Sequence, residues 1–420
     1  MRVGRRASDR LLLAIALLAF VSLGLPDGVL GVAWPSVRAA FDLPLSELGV
    51  ILTAAMLGYL GSSFSSGWMV SRIGVGRLLV WSSVLMVANC GGYALAPRWP
   101  VMVASGVLAG LGAGAIDAGI NAFAAARLPP RLVSWLHACY GVGAMLGPLL
   151  MTGMLAGGHS WRWGYAIIGA LLAAMAVAFT LTRSLWDARP RLPGPSASAE
   201  LSPGLFTTLG RPLVWLNLML FFVYTGIEVV AGQWTYSLLT EARSVPIGTA
   251  GIWVAGYWAS LTLGRLVFGG LAERRSSAAL LRVGTIGVPV GALVLWLAPG
   301  RWAGLVGLLW LGFALAPIYP LLIAETPKRL GARHATNAIG FQVAAAYLGT
   351  AALPGLAGLL ARRHGLEVIG PFLFAASLLL LALRELSARW PARSLTRRAA
   401  DPAPASALRA APCAPGEAGT

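Results

Sequence analysis

The chain has 420 residues, 57% of them hydrophobic and only 11% charged. A soluble domain carries about 25% charged residues, so this composition excludes an ordinary water-soluble protein and indicates an integral membrane protein. The formal net charge of +17 would also suit a nucleic-acid partner, but the placement of the arginines argues against one.

A helix needs about 20 mainly apolar residues to cross a bilayer. Runs of this kind are predicted near 11–34, 45–68, 76–96, 100–124, 134–157, 163–182, 212–236, 247–270, 277–298, 302–325, 335–358 and 366–388. A basic stretch precedes Leu11–Phe20, as in a signal peptide. However, the apolar run continues past a typical h-region without a convincing cleavage site, so it is read as the first span. If residue 1 is cytoplasmic, then Arg2, Arg5, Arg6, Arg10, Arg72, Arg77, Arg127, Arg131, Arg183, Arg189, Arg274, Arg275, Lys328, Arg329 and Arg333 all share its side. That is the positive-inside bias. The basicity sets topology and favours anionic membrane lipids; no nucleic acid is expected. An even span count puts both termini in the cytoplasm, with the chain in the inner or plasma membrane.

The expected fold is all-α, with twelve transmembrane helices in two pseudo-symmetric six-helix bundles. Residues 1–182 form the first bundle and 212–388 the second. Residues 183–211 hold Pro, Ser and charge together and read as a cytoplasmic linker. Residues 389–420, rich in Ala, Pro and Arg, read as a disordered tail. Gly106, Gly110, Gly112 and Gly114 on the fourth span, and Gly143 and Gly147 on the fifth, mark faces where helices approach closely. Pro26, Pro148, Pro289, Pro317, Pro320 and Pro354 lie in or near spans and would bend them. Cys90, Cys139 and Cys413 carry no metal spacing and imply no disulfide framework. No His-Glu-x-x-His motif, nucleophile elbow or phosphate loop is present, so neither an enzyme nor a cofactor is expected.

The halves repeat each other. Asp27, Gly31 and Trp34 on the first span are answered by Glu228, Gly232 and Trp234 on the seventh. Repeated bundles of this kind build secondary transporters, with the substrate between them. Ionisable groups inside the spans are then candidates for the site. Pro26 and Gly28 flank Asp27, so the helix is expected to break there, and a carboxylate buried without a partner takes up a proton. Asp117 and Asn121 share one helix face. Together they offer forked acceptors and donors suited to sugar hydroxyls. An interhelical clamp is the structural alternative. His137 opens the fifth span and would exchange protons, bind substrate or reach water. Glu228, with Tyr224, Gln233 and Trp234, forms an acid, amide and aromatic set on the seventh span. Gln233 and Trp234 also fit the role of outer-interface anchors. Arg265 could pair with a carboxylate, but a gate contact or snorkelling to the cytoplasmic surface is favoured.

Gly67-x-x-x-Ser71-Arg72-x-Gly74-x-Gly76-Arg77 joins spans two and three, and Gly269-x-x-x-Glu273-Arg274-Arg275 repeats it. This loop resembles the signature loop of the major facilitator superfamily, with Ser71 where that family usually has Asp. The resemblance covers about 11–388 and implies a conformational latch in which Glu273 pairs with an arginine on a neighbouring helix. An acid in a Pro-Asp-Gly turn on span one, with Asp117-x-x-x-Asn121 on span four, resembles the fucose permease branch. By that resemblance Asp27 and Asp117 would couple protons and Asn121 would bind sugar; Glu228, as the counterpart of Asp27 in the repeat, is a third candidate acid. Asp117 stands where the fucose permease has Glu. The resemblance implies a monomer that moves a small polar solute, a sugar or sugar-like compound, by proton-coupled symport. A proton-driven exporter and a transporter-like membrane sensor are the alternatives.

Overall fold

A computed structural model of the chain describes residues 2–127, 130–187, 205–297 and 301–390. No water reaches the backbone inside a bilayer, so a spanning segment must close its own hydrogen bonds. Accordingly, the described residues form helices and no strand: α1 Arg2–Gly24, α2 Val29–Phe41, α3 Glu47–Leu95, α4 Trp99–Arg127, α5 Pro130–Ala156, α6 Trp161–Asp187, α7 Leu205–Leu209, α8 Pro212–Ser237, α9 Ile247–Leu271, α10 Ser277–Leu297, α11 Arg301–Leu315, α12 Ile318–Leu330, α13 Ala332–His364 and α14 Ile369–Arg389. A wide turn, Leu238–Ala242, extends α8.

Among the described residues, eleven helical segments are long and apolar enough to cross a membrane. The twelfth crossing is α9, 25 residues long, where Tyr257, Ser260, Thr262 and Arg265 lower the hydropathy. α1 and α2 share the first crossing, and α11 and α12 share the tenth, broken at Pro317. α3 holds two crossings joined at Gly74, whose φ of 82° lies in the left-handed region that a side chain disfavours. The helix therefore turns at Gly74, within the sequence read as a loop.

α6 continues past residue 182 to Asp187, and α7 lies inside the stretch expected as linker. The rest of that stretch, 188–204, and the tail from 391 lie outside the described residues.

The small residues of spans four and five serve packing. A Cβ on Gly110 would lie 1.8 Å from the Ala55 carbonyl oxygen, and one on Gly143 2.0 Å from that of Val21. Between the halves, α5 runs against α9, α3 against α13, and α2 against α8. On the side away from the termini these seams are closed. Arg38 of α2 pairs with Glu241 at 2.5 Å, Thr152 of α5 sits on Gly251 of α9, and Gly49 of α3 meets Gly355 of α13.

A Cβ on Gly49 would stand 2.7 Å from the Cα of Gly355, and backbone cannot yield as a side chain can. Gly49→Ala should therefore destabilise the closed seam by about 1–3 kcal/mol. The measurement is maleimide labelling of a Thr152→Cys reporter, above the background of Cys90 and Cys139, from the side away from the termini. Labelling should rise several-fold; an unchanged rate would show that this seam does not depend on the glycine contact.

Candidate functional site

The first crossing breaks over 25–28, as Pro26 and Gly28 lead one to expect. Short backbone bonds carry the turn: Asp27 N–H to the Gly24 carbonyl at 3.2 Å and Val29 N–H to that of Pro26 at 3.3 Å. Gly28 lies against Pro148 of α5 and the Trp258 indole of α9. Asp27 is exposed, whereas Gly24, Leu25, Gly28 and Val29 around it are buried. Its carboxylate is close enough to Glu228 and Asp117, on helices of both halves, to feel their charges. Asp27 thus faces a water-accessible space between the halves and not the outer interface. The Tyr140 hydroxyl of α5 donates to one of its carboxylate oxygens.

Asp117 on α4 accepts two hydrogen bonds, from the Tyr59 hydroxyl at 2.7 Å and from Asn121 Nδ2 at 2.8 Å. The second realises the shared helix face of the sequence pattern. The Tyr59 ring also stacks on Tyr347 of α13, with centroids 3.5 Å apart and planes tilted by 22°. One phenol therefore ties an acid of the first half to an aromatic face of the second.

Glu228 on α8 accepts from the Tyr224 hydroxyl one turn earlier. Its carbonyl accepts from Tyr257 of α9 at 2.9 Å. Arg265 of α9 approaches Glu228 at 3.6 Å. Arg265 therefore departs from the snorkelling expectation: its guanidinium faces the carboxylate rather than the membrane surface. Trp258, Thr262 and Arg265 recur at helical intervals on one face of α9. Thr262 sits on Gly141 and Trp258 on Gly28, so that face looks at the first half. Arg265 is close enough to Tyr140 and Tyr224 for their electrostatic interaction to be felt.

The other expected residues are placed differently. Gln233 is buried and reaches across the halves: its Nε2 donates to the Asp27 carbonyl at 2.7 Å. Trp234 is fully buried, and its Nε1 donates to the Pro354 carbonyl at 3.0 Å within its own half. Trp234 thus packs α8 on α13, and neither the substrate role nor the interface-anchor role fits it. Adjacent helical residues point about 100° apart, so Gln233 and Trp234 cannot share a surface.

The latch expected at Glu273 is not formed. Gly269, Glu273 and Arg274 are exposed, and Glu273 makes no ion pair among the described residues. In the first copy, Arg72 lies over the Trp68 ring and Ser71 bonds back to the Trp68 carbonyl. Gly67 and Gly76 lie on α3, and a Cβ on Gly76 would meet the Arg183 carbonyl. Arg77 lines a cleft with Arg72 and Arg183. His137 lies on α5, but its side chain falls outside the described residues.

Sequence reasoning missed Tyr59, Tyr140, Tyr257 and Tyr347 as parts of one cluster. The available signal was the phenol itself, since a hydroxyl inside an apolar span needs a partner.

A family model described as Major Facilitator Superfamily matches residues 15–342. The 3-(3-hydroxy-phenyl)propionate transporter of Escherichia coli (strain K12) is 26% identical over 85% of this chain and 89% of its own length. Among solved structures, a D-xylose-proton symporter superposes with a TM-score of 0.70 at 16% identity, covering 89% of this chain and 97% of its own. FucP in its outward conformation gives 0.61 at 17%, covering 89% and 98%. These two structures establish likeness of fold.

Placed as it is, Trp234 should act on stability alone. Trp234→Phe removes one buried hydrogen bond, worth about 1 kcal/mol, and should lower the melting midpoint of the detergent-solubilised protein. Solute affinity should not change. A loss of affinity at unchanged stability would return Trp234 to the binding site.

Proposed function

The chain belongs to the Major Facilitator Superfamily, and from that premise we propose that it is a proton-coupled symporter of a small polar solute, a sugar or sugar-like compound. It is a multi-pass membrane transporter. On this reading it lies in the inner membrane with both termini cytoplasmic, as its arginines favour.

The observation that carries the proposal is the exposed Asp27 in a broken helix, with Tyr140 on its carboxylate and Glu228 and Asp117 within electrostatic reach. A carboxylate in low dielectric is stable when paired, hydrated or protonated. When the halves rock to close water away from Asp27, the protonated form has the lower cost of burial. Protonation thus favours reorientation, and the solute that binds the protonated site travels with the proton.

The solute reading follows from the rest of the site. Asn121 and Asp117 offer donors and acceptors for hydroxyl groups, and the Tyr59–Tyr347 stack offers an aromatic face for the ring of a sugar. In this proposal Asp27, Asp117 and Glu228 couple protons and Asn121 contacts the solute. Gln233 ties the halves through the Asp27 carbonyl. The D-xylose-proton symporter, a protein of the same fold, supports by its name both the solute class and the coupling ion.

The test is external pH in a suspension of vesicles holding the purified protein, with sugars and polyols added outside. One of them should alkalinise the medium, and Asp27→Asn and Asp117→Asn should each abolish the signal while still inserting as folded protein. Silence with every sugar, together with proton flux driven by hydrophobic amines, would replace symport by drug export.

A further inference from the structure

Arg265 is a cation set among the central acids and phenols, and its donors are not used up by the protein. A guanidinium carries five N–H donors in a planar fork. Its ion pair with Glu228 is 3.6 Å long, beyond the range of a hydrogen-bonded pair. Besides Glu228, only the Tyr224 hydroxyl lies within hydrogen-bonding reach of Arg265 among the described residues, which leaves most of its donors unused. Glu228 is committed elsewhere, with one oxygen on the Tyr224 hydroxyl. The side chain of Arg265 keeps 23% of its surface accessible, against 13% for Glu228, and it stands on the α9 face that looks at the first half.

We propose that Arg265 is the anion receptor of the central site and that the solute it takes is a sugar acid, whose carboxylate binds Arg265 once a proton neutralises Glu228. This rests on the symport reading of the same site and names its solute more closely. In the resting site Glu228 balances Arg265 through space. When Glu228 takes up a proton, its charge is lost and the guanidinium is left uncompensated in low dielectric, at a substantial cost. A solute carboxylate removes that cost with two parallel charge-assisted hydrogen bonds. One proton and one anion enter together, so the charge of the site is the same before and after loading. The hydroxyls of the solute then fall to the neutral and acidic groups nearby.

The charged and titratable groups facing this pair are Tyr224 on α8, Tyr257 on α9, Tyr140 on α5, Tyr319 on α12, Asp27 in the helix break and, further off, Asp117 on α4. Phenols titrate near pH 10 in their ordinary state, so among these groups the carboxylates take up the proton. Asp27→Asn separates the contribution of that carboxylate from the contribution of Glu228.

The test is binding of glucuronate and of glucose to the purified full chain in lipid nanodiscs, by calorimetry at acid and neutral pH. Glucuronate should bind more tightly than glucose, with a margin that widens as pH falls and persists in Asp27→Asn. Arg265→Met should cut the ratio of acid to neutral affinity by about tenfold or more. Glu228→Gln should bind glucuronate tightly at both pH values. If Arg265→Met does not fold, the flat pH response of Glu228→Gln decides alone. Equal affinity for the two sugars, or a pH response in Glu228→Gln that matches wild type, overturns the proposal. If glucose still alkalinises the medium in the vesicle assay, symport stands and only the sugar acid falls. If neither compound binds, the sugar-acid proposal falls, and the full panel of sugars and polyols in the vesicle assay decides the symport reading.

Discussion

A bilayer leaves no backbone group free to find water, and the first crossing breaks its helix in spite of this. The break is tolerated because protein groups meet several of the backbone groups it frees. Turn bonds take up the N–H groups of Asp27 and Val29, and Gln233 comes from the other half to take the Asp27 carbonyl. A repair of this kind has consequences beyond the turn. It fixes where the Asp27 carboxylate points, it sets Gly28 against Pro148 and Trp258, and it makes a bond between the halves part of the first helix. Non-helical backbone at membrane depth is tolerated where protein or an aqueous space surrounds it. The break and the candidate site therefore have one cause.

The closed seam away from the termini is apolar in bulk but not at its contacts. Among the described residues, Arg38 Nε, Thr152 Oγ1 and Gln233 Oε1 are buried at contacts between the halves without a hydrogen-bond partner. A buried unsatisfied polar group costs about 1–3 kcal/mol. A seam built for permanence would replace such groups with aliphatic side chains. These groups instead recover hydration when the seam parts, which brings the closed and open arrangements closer in free energy. The Arg38–Glu241 pair, each side chain 28% accessible, adds little to the closed state, since partly exposed pairs contribute about 0–1 kcal/mol. Close backbone contact such as Gly49 on Gly355 then does most of the holding, and it is lost abruptly on separation because dispersion falls off within an ångström or so.

Depth in the membrane was legible in the sequence, and azimuth was not. Apolar runs located the crossings, and Pro26 and Gly28 announced the break. The Asp117–Asn121 contact followed from helical spacing alone. Failures came where direction around a helix decides. Gln233 and Trp234 sit at the same depth, yet one faces the other half and the other packs into its own. Arg265 lies near enough to a membrane surface to snorkel, yet a partner on α8 draws it inward. Tyr59 and Tyr347 are far apart in the chain and lie in different halves, so no local pattern could pair them. Glu273 carries the residue type of a latch, but its partner depends on how the halves stand, which one sequence does not encode as a single answer.

The internal repeat is imperfect at its most informative point, and the imperfection gives the two acids different surroundings. Asp27 and Glu228 occupy matching places, but α8 runs unbroken through Glu228 whereas the first crossing stops at Asp27. On a continuous helix the preceding turn can supply Tyr224, and α9 supplies Tyr257 and Arg265, so Glu228 is held on several sides. On a broken helix that local support is absent, and Asp27 is left with Tyr140 and with access to water. Where a proton must exchange with solvent, access matters more than restraint. Where a charge must balance a fixed cation, restraint matters more. On the proposed symport reading a symmetric pair would do neither job well, and the loss of symmetry at Pro26–Gly28 lets one repeated position serve as the exchange point in the first half and as the counter-charge in the second.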